Sequence, residues 1–346
     1  MTRRSVGILL ILVAAGLLIW TASGLGEQVI FKNGSTLQAK VLESSGSEFM
    51  EVEVEGGIIG IPWREVDRVI PDLKEGAFPP LPPQINAASA LLIEEGSGRV
   101  LLEKNARERR PIASLTKLMT AVIVLERGNL GEVVRVSKRA AATPGASLRL
   151  RAGQRIRLRD LLVGLLVRSA NDAAVAAAEH VCGSEEEFVR AMNEKARSLG
   201  LFDTQFRNCH GLHHPDHYSS AYDLAVLSRY AMSLPFFAEC VRNREASIFV
   251  GGIGRPRVFK NSNKFLKLYL GADGIKTGYT EVAGRCLVAS ALRGERRLIA
   301  VLLNDEERWR DACELLEYGF FVFFWQQLQG LNPPGRSRPE DAASEG

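Results

Sequence analysis

Ser114-Leu-Thr-Lys117, Ser169-Ala-Asn171 and Lys276-Thr-Gly278 stand in that order along the 346-residue chain, and their reading decides the fold. Ser114 follows Pro111-Ile-Ala and opens an apolar helical stretch. Its hydroxyl therefore sits where the N–H groups of a helix start point, a place that favours a developing oxyanion. Lys117, three residues on, shares that face. A serine hydroxyl needs a base, and lysine serves only if its pKa is lowered. Burial among Ile112, Leu118 and Met119 would lower it, as would a second ammonium, for which Lys276 is the candidate. Ser169 and Asn171 interrupt two helical stretches, which predicts a loop carrying a hydroxyl to pass a proton and an amide to hold a carbonyl. Lys276-Thr-Gly278 lies in an extended segment. There Thr277 suits a carboxylate, Lys276 adds positive charge, and Gly278 lets a substrate backbone approach the strand. Alone, S-x-x-K reads as well as an N-capping serine beside a surface lysine. All three together describe a serine acyl-transfer site without a histidine.

Working outward, 90–94 and 99–104 read as apolar strands joined by the turn Glu95-Gly-Ser-Gly98, and 274–280, 285–292 and 296–303 are extended as well. Between them the pattern is helical. A helix over 114–127 stops at Gly128, a natural C′ residue, and 160–167 leads into the Ser169 motif. The segment 172–181 is alanine-rich. Ser184-Glu-Glu-Glu187 is a capping box for a helix stopping at Gly200, Ser220 with Asp223 opens another, and 309–321 closes the region. Strands at both ends with helices between predict an antiparallel sheet whose first and last segments pair, with a helical insert.

The front reads differently. Over 27–70, some five short strands with the turn dipeptides Asn33-Gly34 and Gly56-Gly57 suit a small all-β, SH3-like module. That module is a spacer or a partner-binding unit, and no residue in it points to chemistry. Residues 71–84, with Pro79-Pro80-Leu-Pro82-Pro83, form a stiff linker. At the N-terminus, Arg3 and Arg4 precede a fifteen-residue apolar run from Val6 to Trp20 and then Thr-Ala-Ser-Gly. Residues 1–24 therefore read as a secretory signal with Ala22 and Gly24 flanking the cut, or as an uncleaved membrane anchor. Both readings place the rest outside the cytoplasm, in the periplasm or cell envelope, because the arginines stay inside. Residues 323–346 are expected to be a polar tail with a disordered end.

Lys+Arg 44 against Asp+Glu 40 leaves +4, too balanced to imply nucleic acid. The five cysteines are scattered and read as small buried hydrophobes rather than disulfides. Cys209-His210-Gly-Leu-His213-His214-Pro-Asp216-His217 holds four of the five histidines, but its spacing matches no familiar zinc pattern. A structural loop is expected, with no metal and no cofactor.

Taken together, the motifs resemble those of serine-type D-alanyl-D-alanine carboxypeptidases, the low-molecular-mass penicillin-binding proteins, from about Ile85 to Phe321. The resemblance implies an α/β (α+β) fold of the β-lactamase/transpeptidase type over 85–322. It implies peptidoglycan stem peptides as substrates and β-lactams as inhibitors. Ser114 would attack the penultimate D-Ala carbonyl with Lys117 as base, and Ser169 with Lys276 would relay protons. Asn171, Thr277 and Gly278 would bind substrate, and Arg308, just before the closing helix, would hold the terminal carboxylate. The family carries a similar His-Gly-Leu turn, here His210-Gly211-Leu212, without a metal. A D,D-endopeptidase of the same fold cutting cross-links is the near alternative. A β-lactamase fits less well, since Ser-Ala-Asn stands for Ser-Asp-Asn and no separate deacylating carboxylate motif is evident. From another class, the chain would be a catalytically silent wall-binding protein.

Overall fold

Val, Ile and Leu at alternating positions build a five-stranded antiparallel sheet in each of the two units into which the chain divides near Phe78, and the second unit adds two two-stranded sheets. The computed structural model describes residues 27–31, 36–41, 49–54, 57–62, 66–71, 81–250 and 256–331. The readings made for residues 1–24, the Asn33-Gly34 turn, most of the proline-rich linker and the end of the tail lie outside these residues.

The front unit contains β1 (Glu27–Phe31), β2 (Thr36–Val41), β3 (Phe49–Val54), β4 (Gly57–Pro62) and β5 (Val66–Pro71), in the order β4-β3-β2-β1-β5. β1 pairs with both β2 and β5, so Val29 faces Leu37 on one side and Val69 on the other. Val29 and Val52 are fully buried and Ile61 and Val66 nearly so.

The second unit opens with the hairpin β6 (Ser89–Glu94) and β7 (Val100–Lys104). Then come α1 (Lys117–Arg127), β8 (Val133–Arg135), α2 (Lys138–Ala142), β9 (Arg155–Arg157), α3 (Leu158–Val163), α4 (Asn171–Cys182) and α5 (Glu185–Ser198). They are followed by α6 (Ala221–Met232), α7 (Pro235–Arg242), β10 (Glu245–Ile248), β11 (Arg257–Lys260) and α8 (Phe265–Leu268). The chain returns to the sheet as β12 (Ala272–Thr280), β13 (Gly284–Arg293) and β14 (Arg296–Leu303), and α9 (Arg308–Leu331) closes it. The sheet order is β12-β13-β14-β6-β7, and β14 pairs antiparallel with β6. First and last strands thus meet as expected, with the helices inserted between.

Alternation along the strands sends side chains to opposite faces. Leu91, Ile93, Val288, Ile299 and Val301 join the cluster under the helical insert. Ala90, Leu92, Ala289, Leu298 and Ala300 join the one beneath α8 and α9. Residues 118–124 of α1 are buried without a break, as befits a helix apolar all round at the centre of a domain. Among the described residues all five cysteines are free, and Cys209, Cys240 and Cys286 are buried.

Three local expectations change. Gly128 ends α1 with φ −96°, not in the left-handed conformation expected of a C′ glycine. A Cβ there would lie 2.6 Å from Leu158 Cδ2 and 2.8 Å from the Val124 carbonyl, so the position needs glycine for close packing. The closing helix does not stop at Phe321 but runs to Leu331. Arg296 lies over the Phe323 ring and Arg99 donates to Gln326 Oε1, so residues past 321 stay tied to the strands. Lastly, Asn171 does not sit on a loop: it is the first residue of α4.

Candidate active site

Ser114 lies in a 3₁₀ turn, Ala113–Thr116, that feeds directly into α1. The residue before it, Ala113, has φ +47°, a left-handed conformation that costs about 1 kcal/mol for a residue with a Cβ. Neighbours hold that turn. His217 Nδ1 accepts from the Arg207 N–H (3.1 Å), so its ring proton lies on Nε2, which donates to Thr116 Oγ1 (2.7 Å). Thr116 in turn donates to the Ala113 carbonyl (2.8 Å). Burial pushes the His217 pKa down to about 3, so the ring remains neutral and this chain keeps its direction. Gly211, at φ +90°, packs on the same carbonyl, where a Cβ would come within 2.0 Å.

One helical turn on, Lys117 is fully buried. Its Nζ lies 3.0 Å from Ser114 Oγ, 2.7 Å from Asn171 Oδ1 and 2.6 Å from the His210 carbonyl. Burial, slightly opposed by Cys209 and Asp172, lowers its pKa to about 7. Of the two expected causes, burial dominates at Lys117, and the repulsion between Lys117 and Lys276 is felt at Lys276. The three partners fit a neutral amine. Two N–H bonds go to the amide oxygen and the carbonyl, and the lone pair is left to accept the Ser114 hydroxyl proton.

Ser169 arises from a different device. After α3 the chain widens into a single π turn, Gly164–Arg168, and Ser169 follows at φ +64°. Such turns mark functional sites often enough to be informative. Lys276, on β12, donates to Ser169 Oγ (2.9 Å) and to the Thr277 carbonyl (3.0 Å). Burial first, then the charges of Lys117 and Arg308, push its pKa well below the usual lysine range. Asn171 joins the halves: its Oδ1 meets Lys117 and its Nδ2 donates to the Pro144 carbonyl (2.6 Å). Its neighbour Asp172 accepts from Ser147 Oγ and from the N–H groups of Leu148 and Leu150, which pins the segment in front of α4.

Gly278 also packs closely against the protein itself. A Cβ there would lie 2.9 Å from the Ile112 carbonyl and 3.2 Å from both Ala113 Cβ and Ser114 N. The protein's own nucleophile turn therefore requires a glycine at this position. Thr277, 9% exposed, precedes it. Arg308 Nη1 donates to the carbonyls of Gly278 (3.0 Å) and Cys286 (3.2 Å), which ties it to the paired ends of β12 and β13, with a buried Nε that has no hydrogen-bond partner.

Sequence reasoning missed the scaffold around these groups. Glu185, 7% exposed at its side chain, accepts from the Cys209 N–H (3.1 Å) and pairs with Arg139 (2.7 Å), so it fixes the segment that presents the His210 carbonyl to Lys117. The histidines do not converge. His217 faces Thr116, His210 Nδ1 accepts from Leu212 N, and His214 Nδ1 from Asp216 N. Among the described residues no three His, Cys, Asp or Glu side chains are placed to hold a metal ion.

Residues 77–307 match the family described as D-alanyl-D-alanine carboxypeptidase. The chain is 39% identical over 254 residues to the D-alanyl-D-alanine carboxypeptidase DacF of Bacillus subtilis, covering 71% of this chain and 65% of that one. It is 40% identical over 258 residues to DacD of Escherichia coli K12, covering 70% and 65%. The chain thus spans just under two thirds of the length of these curated relatives. Among solved structures, penicillin-binding protein 6B of Escherichia coli superimposes with a TM-score of 0.64 at 38% identity, covering 70% of this chain and 80% of that one. The Streptomyces K15 DD-transpeptidase gives 0.66 at 32%, covering 70% and 99%. On motif, fold and likeness, the chain belongs to the D-alanyl-D-alanine carboxypeptidase family of serine peptidases.

Proposed function

We propose that this protein is a penicillin-sensitive serine D-alanyl-D-alanine carboxypeptidase that removes the terminal D-Ala from peptidoglycan stem peptides through an acyl-enzyme. One observation carries the reading: a fully buried lysine, its pKa lowered to about 7, stands 3.0 Å from a half-buried serine hydroxyl. At neutral pH a sizeable share of Lys117 is the free amine, able to take the Ser114 proton as Oγ attacks the penultimate D-Ala carbonyl. The Ser114 N–H, beside the strand at Gly278, is the donor for the developing oxyanion. Ser169, bonded to Lys276, passes a proton to the departing D-Ala amine. Thr277 receives the terminal carboxylate and Asn171 a substrate carbonyl, as read from the motifs, and Arg308 joins Thr277 as the resemblance implies. Water then hydrolyses the ester.

A β-lactam adduct is expected to be long-lived. Asp172, the carboxylate adjacent in sequence, is occupied by Ser147, Leu148 and Leu150, and no carboxylate bonds to Ser114, Lys117, Ser169 or Lys276 among the described residues. The N-terminal apolar run fits export to the cell envelope, and the five-stranded front unit fits an SH3-like spacer or docking module. Mass spectrometry after exposure to penicillin, with release of D-Ala from a small D-Ala-D-Ala peptide measured in parallel, tests the assignment. An unmodified Ser114 together with no D-Ala release would reject it in favour of a silent wall-binding protein.

A further inference from the structure

Residues 133–159 carry eight Lys or Arg and no Asp or Glu, in a chain whose net charge is only +4. The structure gathers part of this charge into a cleft of about 470 Å³ lined by Arg149, Arg151, Ala152, Gln154, Val250 and Arg257. Among the described residues none of these three arginines forms an ion pair. All three are exposed. Arg149 is held at φ +60°, a left-handed backbone that an arginine adopts only at a cost, and its N–H is fixed on Ser147 Oγ (2.6 Å). Arg257 is steadied over the Phe259 ring and on the Leu148 carbonyl (3.0 Å). On the adjoining two-stranded sheet, Arg135 and Arg155 stand directly opposite each other on the exposed side of β8 and β9. Like charges in that register repel unless an anion lies between or beside them.

We propose that this cleft and the β8-β9 pair bind a flexible, phosphate-bearing polymer, a site separate from the acyl-transfer chemistry. Three guanidiniums around one cleft exceed what a single carboxylate needs, since one arginine satisfies a carboxylate with both its forks, whereas a phosphate presents more oxygens and more charge. The concave shape suits a single chain threading in rather than a flat bilayer, which meets protruding side chains. Site and chemistry are still joined. The segment bearing Arg149 and Arg151 is bonded to Asp172, next to Asn171, so a polymer held here lies against the segment that buttresses the catalytic amide.

Binding of the full chain to soluble inorganic polyphosphate, followed by titration calorimetry, tests this. For three phosphate contacts the affinity should fall about twenty- to fortyfold between roughly 50 and 200 mM salt. Arg149→Asn with Arg151→Gln should weaken it about tenfold, asparagine being at ease in the left-handed conformation. Arg190→Gln with Lys267→Gln, which removes the same charge elsewhere, should leave it unchanged. Labelling of Ser114 by penicillin reports that the double variant is folded, and Arg151→Gln alone serves if it is not. Equal affinity in the arginine variants and the wild type would overturn the proposal. So would arginine-dependent binding to phosphatidylglycerol vesicles without binding to polyphosphate, which would make the surface a bilayer contact. Loss of penicillin labelling in the wild type would instead count against the carboxypeptidase reading and leave the polyphosphate result standing.

Discussion

Two serine–lysine pairs of almost equal length, Ser114–Lys117 at 3.0 Å and Ser169–Lys276 at 2.9 Å, are built in opposite ways. The first is local: three residues apart, on one turn, with the hydroxyl half exposed and the lysine fully buried. The second joins residues 107 apart, from a π turn and a strand, and both members are buried. A nucleophile must meet substrate, so its hydroxyl stays open; a relay only has to reach its partner. Lys117 has three partners, two acceptors that orient it and one hydroxyl for it to deprotonate, while the partners of Lys276 are a hydroxyl and its neighbour's carbonyl.

If that division is right, the two pairs fail differently when cut. Ser114→Ala should remove the penicillin adduct altogether and lower D-Ala release by about 10⁴-fold or more, as with nucleophile loss in other serine hydrolases. A labelled adduct persisting in this variant would overturn the nucleophile assignment. Lys117→Ala should slow acylation by about 10²–10⁴-fold, the usual range for losing a general base. The pH dependence gives the sign. Lys117 is competent when unprotonated, so wild-type acylation should climb as pH rises through about 7, and that limb should vanish in Lys117→Ala. A limb that survives unchanged would move the base elsewhere. Ser169→Ala leaves the local pair intact and should cost less, about 10²-fold in turnover, with penicillin acylation slowed less than peptide hydrolysis because the β-lactam leaving group stays tethered. Equal losses in both reactions would show that Ser169 serves the attack as well.

The same contrast explains what was legible beforehand. Ser114 and Lys117 could be paired because helical spacing alone puts residues i and i+3 on one face. The antiparallel sheet with its helical insert was legible from strand patterns at both ends. The Ser169–Lys276 bond could not be derived from periodicity, since nothing local says which strand edge a π turn will meet; only the likeness of the three motifs linked them. The packing of Gly278 against the 113–116 turn was not legible because that turn lies 165 residues earlier. Glu185 gave no signal: in sequence it is one of three glutamates in a helix's first turn, and only folding buries that one against Cys209. In the histidine cluster, His210, His214 and His217 each bond within their own stretch of the fold, and which partner each ring takes was not legible from spacing.

Glu185 offers a finer test of the local pair. Glu185→Gln keeps an acceptor for the Cys209 N–H but weakens the ion pair with Arg139, so the His210 carbonyl should hold Lys117 less firmly. Turnover is expected to fall about tenfold, the order of one weakened charge-assisted hydrogen bond, with KM little changed. A pure KM effect would show that the segment contacts substrate instead of orienting the base.

The smallest effect should come from the largest deletion. Every strand of the β12-β13-β14-β6-β7 sheet and every residue of both serine–lysine pairs lies beyond residue 81. The front strands form a sheet of their own, with Val29 and Val52 as its buried centre. A protein beginning at Leu81 should therefore fold, react with penicillin, and hydrolyse a small D-Ala-D-Ala peptide at a rate within about threefold of the full chain, as independent domains do. Thermal unfolding of the two proteins, with penicillin labelling of each, checks it. If the shortened protein is unfolded, the front sheet belongs to the enzyme's core, and the boundary drawn at the proline-rich linker is wrong. If it folds but loses binding to intact wall, the front unit is a docking module, and catalysis and recruitment divide at the linker.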